Sequence, residues 1–162
     1  MTAHVLQRLF SFTHGVVRRN VDGIDDDDSY RSPEPGGNCL NWVVGHIVAT
    51  RAPILRSLGA EPVWTHEAAK PYVRGAGALR RGHGTFPFPA ILADFDESQR
   101  RILEKLTRLS DAGLAAAPPA DLNPFKATTL GESLAIAHFH ESYHSGQTGL
   151  LRRILGREGA IR

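Results

Sequence analysis

An all-α fold is predicted, as one four-helix bundle over residues 1–162 that runs up-down-down-up with a long crossover between its second and third helices. Three observations predict it. Four segments repeat apolar residues with the helical period, no segment of similar length alternates with a period of two, and no internal repeat is visible. With 162 residues, 41% apolar and 22% charged, the chain is long enough for one core that needs no disulfide or metal merely to fold.

The first helix lies within the first 21 residues, where Leu6, Leu9, Phe10, Thr13 and Val17 follow the i, i+3, i+4, i+7, i+11 spacing of a core-facing stripe. Arg8, Arg18 and Arg19 with no acid also fit a transit peptide, but the core spacing makes a first core helix the preferred reading. The acidic run Asp25 to Asp28 lacks the spaced oxygens, glycine and terminal glutamate of a calcium loop and reads as a solvated loop. The second helix spans Asn38 to Leu58, apolar almost all round, with Gly59 as its stop and Pro53 expected to kink it. Asn41, His46, Arg51 and Arg56 interrupt that stretch, so no membrane span is expected.

The connection between the second and third helices is nearly thirty residues long, a length usually found in functional covers, and Trp64, Tyr72, Phe86 and Phe88 are placed to anchor it. A short hairpin over 63–73 is an open alternative, and the glycine-rich run from Gly75 to Gly84 reads as a flexible link. The third helix carries the stripe Phe88, Ile91, Leu92, Phe95, Ile102, Leu106 and Leu109, with charges on its other faces. The fourth opens with Thr129-Leu130-Gly131-Glu132, a capping box, and runs to Gly156.

Function classes narrow by charge and cysteine count. The net charge of +2 is scattered along the chain without the dense basic stripe that nucleic acid requires. A single cysteine, Cys39, cannot form an internal disulfide, and a cytoplasmic location is expected.

The eight histidines are the one compositional excess. On the fourth helix His144 lies about 40° from His140 and Gln147 about 20° to the other side of it, so the three share a stripe. Ile136, Phe139, Tyr143, Leu150, Leu151 and Ile154 overlap that arc, whereas His138, Ser142, Ser145 and Arg152 point away; the His-His-Gln stripe is therefore expected to face the interior. Two buried imidazoles one turn apart are costly to desolvate unless a ligand compensates both, and a divalent cation does so. His46, in the interior of the second helix beside Gly45, is the candidate third ligand. His4, His14, His66 and His83 are expected to be exposed or structural, and Cys39 to be a small core residue about 10 Å along the helix from His46.

His140 to His144 also satisfies HExxH, but Gln147 and Leu150 stand where an extended zinc protease needs glycine and histidine, and Glu158 is the sole downstream glutamate. Proteolysis is set aside. Glu141 has two open readings, a flanking group that orients water or accepts a proton and a solvated helix residue. Gln147 has two as well, a partner for a ligand histidine or substrate and a helix-helix hydrogen bond.

These residues carry a resemblance. Asn41-Trp42-Val43-Val44-Gly45-His46-Ile47, together with His140-Glu141-x-x-His144-x-Gly146-Gln147 and the Leu-Leu-Arg-Arg-Ile-Leu-Gly that follows, resembles the DinB/YfiT-like metalloproteins, which are distinct from the DNA polymerase sharing the first name. The resemblance implies a bundle with a long crossover, a homodimer, and a divalent metal such as zinc or nickel on His46, His140 and His144. It also implies a small thiol and an electrophile as substrates, with thiol S-transfer preferred and metal-dependent hydrolysis or non-catalytic metal binding as alternatives. In the family a basic residue often stands where this chain has Ser145, so an altered surface ion pair is expected there. Three neutral ligands would leave the full double charge and an open position, as in catalytic zinc sites.

Overall fold

The computed structural model describes residues 2–123 and 126–160, and all regular structure among them is helical. The elements are α1 (Ala3–Val21), α2 (Asp26–Ser29), α3 (Leu40–Ser57), α4 (His66–Ala69), α5 (Phe88–Thr107), α6 (Asp111–Ala115) and α7 (Leu130–Ile154), with single 3-10 turns at Lys70–Tyr72 and Ala120–Leu122. The four expected long helices are α1, α3, α5 and α7. Their main contacts are α1 with α7, α3 with α5, α1 with α5, and α3 with α7. No helix among the described residues is long and apolar enough to cross a membrane.

Local chemistry sets the helix ends. Thr2 caps α1 by accepting from the Val5 amide, and Arg18 and Arg19 sit in its last turn, where the helix dipole favours positive charge. Helix α3 continues through Pro53 to Ser57. Thr129 caps α7 by accepting from the Glu132 amide, while Glu132 takes the amide and hydroxyl of Thr128. The capping glutamate thus reaches Thr128 in addition to the Thr129 amide that a capping box implies.

Two apolar clusters fill the interior. One joins Val17, Trp42, Val43, Ile47, Phe88, Ile91 and Phe95 beneath the crossover; the other joins Leu6, Phe10, Ile54, Ile102, Leu106 and Leu134. Leu9, expected on the core stripe of α1, is exposed instead.

Over 63–73 the crossover carries α4 and a 3-10 turn and not a hairpin. Its anchors are the expected aromatics: Trp64 lies 5.0 Å from Tyr72 and 4.9 Å from Phe86, ring centre to ring centre, and donates its indole N–H to Asp94 at 2.6 Å. The acidic run forms a short helix where a loop was expected, and although Asp25 and Asp27 are exposed its carboxylates are engaged. Asp25 caps α2, Asp26 accepts the Phe88 amide, Asp26 and Asp27 pair with Arg81 of the crossover, and Asp28 pairs with Arg31 and Arg157. Four adjacent carboxylates are tolerated because three arginines approach them.

Candidate metal centre

Asn41, Gly45 and His46 lie on one side of α3, and each has a separate task in seating the crossover. A Cβ on Gly45 would overlap the Tyr72 ring, so glycine is what lets Tyr72 pack directly on the helix backbone. Asn41 accepts from the Tyr72 hydroxyl at 3.2 Å and donates to the Phe86 carbonyl at 3.2 Å, while the Tyr72 oxygen accepts the Phe86 amide at 2.8 Å. The result sets the Tyr72 backbone carbonyl 2.7 Å from His46 Nδ1. A carbonyl can only accept, so Nδ1 carries the proton and Nε2 is left with its lone pair facing away from the crossover.

That lone pair meets the histidines of α7. His46 Nε2 is 3.2 Å from His140 Nε2, which is 3.1 Å from His144 Nε2. Ligand atoms of all three lie within 4.8 Å of one another. Gln147 Oε1 sits 2.8 Å from His144 Nδ1, so this second ring is also protonated on the side away from the cluster. Trp42 stacks on His46 at 4.5 Å and meets His144 edge-on at 6.3 Å, covering one side of the group.

Burial lowers the pKa of all three histidines, that of His46 to about 4, and the mutual proximity of the rings adds to it at His46 and His140. All three are therefore neutral near pH 7. With the His140 proton on Nδ1, the three Nε2 lone pairs converge and repel unless a cation lies between them. A tetrahedral ion with nitrogens at about 2.0–2.1 Å holds them about 3.3–3.4 Å apart, close to the 3.2 and 3.1 Å that separate His140 Nε2 from His46 Nε2 and His144 Nε2. Imidazole donors suit zinc, nickel and copper rather than magnesium or calcium.

The same geometry answers to a family pattern: the model of the DinB superfamily matches residues 9–148, a span containing all three histidines. The chain belongs to the DinB superfamily. No curated relative matches it.

In this DinB-superfamily chain the remaining candidate residues lie as follows. Glu141 is 1% exposed, which overturns its reading as a solvated residue. Nor are its oxygens free to flank the histidines, for Oε1 accepts from Arg51 Nε at 2.8 Å and Oε2 from Arg51 Nη2 at 2.9 Å. Arg51 is fully buried and gives its other donors to the Phe95 carbonyl, Ser98 and Gln99, each at 2.9 Å. Sequence reasoning missed this pair, taking Arg51 only as an interruption of an apolar helix. The available signal was an arginine deep inside a helix otherwise apolar all round, which demands a buried acid.

The interior face of α7 also differs from expectation. Glu141, Ser145, Thr148 and Leu151 are buried, whereas Phe139, Tyr143, Leu150 and Ile154 are exposed. His140 and His144 occupy the border between those faces. Ser145 is buried beside Asn20, which donates to its carbonyl at 3.4 Å, so its departure from the family falls on the α1 contact and not on a surface ion pair. His138, expected to point away, meets Thr13 of α1 at 2.8 Å. His14 stacks on Phe95 at 4.3 Å and reaches Asp96 at 3.0 Å, a structural placement; Cys39 is buried at the start of α3.

Proposed function

We propose that this chain is a metal-dependent enzyme that holds one divalent cation, zinc or nickel, on His46, His140 and His144 and transfers a small thiol to an electrophilic substrate. The observation that carries this reading is the convergence of three Nε2 atoms, with Nδ1 of His46 and of His144 already committed to Tyr72 and Gln147. A divalent cation in that position supplies the charge that lowers the pKa of a thiol or water brought to it.

The chain's own residues supply orientation. Tyr72 and Gln147 hold two rings in the ligating tautomer, and Trp42 keeps solvent from one side. Gln147 is thus a positioning residue, and Glu141, engaged by Arg51 on both oxygens, is given no proton-transfer role. In the transfer a sulfur–carbon bond forms, the leaving group departs with its electron pair, and the thiol proton passes to solvent. Water in place of the thiol would make the same centre a hydrolase.

The reading extends to the whole chain as one up-down-down-up bundle in the cytoplasm, with its fellow copy in a homodimer. Support for the dimer comes from exposed apolar side chains on neighbouring helices, Phe12 of α1 and Phe139, Tyr143 and Leu150 of α7, which are 61–75% exposed.

Protein purified without an affinity tag should contain about one zinc or nickel per chain by elemental analysis. Replacing His140 and His144 together by alanine should remove it, and metal retained by that variant would overturn the proposal. Loaded protein is then assayed with a chromogenic electrophile and several low-molecular-weight thiols. Turnover that depends on the thiol supports transfer, and thiol-independent hydrolysis selects the alternative.

A further inference from the structure

A cavity of about 220 Å³ lies between α3 and α7, and His140 is the one member of the histidine cluster that lines it. Its walls are Pro53 and Ile54 from α3, Ile136 and Ala137 from α7, and Leu122 from the turn before α7. A cavity of ~150 Å³ lined by apolar side chains accepts benzene, so this one has room for a somewhat larger group.

Several polar groups of the lining are committed elsewhere. Thr50 donates its hydroxyl to the His46 and Ile47 carbonyls, Glu141 is taken by Arg51, and Asp121 pairs with Arg56 at 2.8 Å. Ser133 is different. It is 2% exposed, it lines the cavity, and its hydroxyl has no hydrogen-bond partner among the described residues. A buried hydroxyl left unpaired costs about 1–3 kcal/mol, and rotation about the Ser133 Cα–Cβ bond would offer it a ligand atom in the cavity as partner.

We propose that this cavity binds the apolar portion of the electrophilic substrate, a compact uncharged alkyl or aryl group bearing one hydrogen-bonding atom that meets Ser133. The inference rests on the enzymatic reading above and deepens it. A peptide-like or sugar-like thiol carries many polar groups that these walls cannot pair, so the thiol approaches the histidines from outside the cavity and the electrophile from within it. Ala137 follows Ser133 by four residues along α7 and His140 follows Ala137 by three, so the three share one helix face and a group seated on Ser133 and Ala137 reaches the histidines along it.

The test uses two fluorinated probes, 4-fluorobenzyl alcohol and 4-fluorotoluene, titrated into whole zinc-treated and metal-free protein and followed by fluorine NMR. Saturable binding of both is expected, with the alcohol favoured. Ser133→Ala should weaken the alcohol about three- to tenfold and leave the toluene unchanged. Ala137→Phe, which fills the cavity, should weaken both by more than about tenfold while zinc stoichiometry is retained. Should that variant fail to fold, Leu122→Trp fills the space from the opposite wall. Absence of saturable binding to the unaltered protein, or equal binding to the filled variant, overturns the proposal. Saturable, blockable binding in a protein that takes up no zinc would leave the cavity assignment standing and overturn the metal reading instead.

Discussion

His14, half-buried, and His46, buried, are imidazoles held far below their ordinary pKa. His14 is lowered to about 3 by burial and by the charges of Arg51 and Arg18, which outweigh the half-exposed Asp96; His46 is lowered to about 4, chiefly by burial. Below pH 6.5 the unfolded chain takes up protons at these positions before the folded chain does. Stability is therefore complete above that pH and falls as pH drops towards 4, by about 1.4 kcal/mol per pH unit for each group. Urea unfolding of metal-free protein between pH 7 and pH 4 should show that decline, and His14→Phe, which keeps a ring on Phe95, should reduce its slope. Gln147→Leu leaves the His144 Nδ1 proton without its acceptor and should weaken zinc binding about 10- to 100-fold by competition titration, with little change in the unfolding midpoint of the metal-free protein.

Helix α3 joins two assemblies that the sequence presents as unrelated residues. Gly45→Ala should push Tyr72 off the helix, lower stability by about 1–3 kcal/mol, and weaken zinc binding because the His46 ring loses its carbonyl partner. Measuring both quantities separates a loosened crossover from a simple cavity effect. One turn further on, Arg51 and Glu141 tie α3 to α7 just beyond the histidines and so fix how the two helices meet. Removing one partner strands a buried charge: Arg51→Met alone should cost about 3–5 kcal/mol in denaturant unfolding. The double replacement Arg51→Met with Glu141→Leu should recover most of that loss, since no unpaired charge remains. A double variant as unstable as the single one would mean that the pair is needed for packing as well as for charge balance.

Across the whole molecule, the exposed apolar side chains of α1 and α7 bear on assembly. Phe12 and Leu150 belong to the pair of helices that pack together, and Val16 and Leu150 line one shallow groove between them. Phe12→Glu combined with Leu150→Glu should convert a dimer to a monomer in sedimentation velocity while the helical content is unchanged. A protein that sediments as a monomer before any substitution would remove the dimer from the proposal.

The four long helices were legible because each carries enough apolar residues for its period to stand out, and the three histidines because HxxxH on one helix needs a partner on another. Local spacing determined the helices and the His140–His144 pair, since a helix repeats its faces wherever it packs, while His46 stood out as the histidine inside an apolar helix. Which face of α7 turns inward was decided only in the folded protein: Glu141 is drawn in by Arg51 and the small Ser145 and Thr148 admit α1, leaving the larger Phe139 and Tyr143 outside. Hydrophobicity alone predicts the opposite. The acidic run that docks on Arg81, the Gly45 contact with Tyr72 and the unpaired Ser133 likewise join residues far apart in the chain. Their partners are chosen by packing geometry, and a linear order of residues carries no distance between segments that meet only after folding.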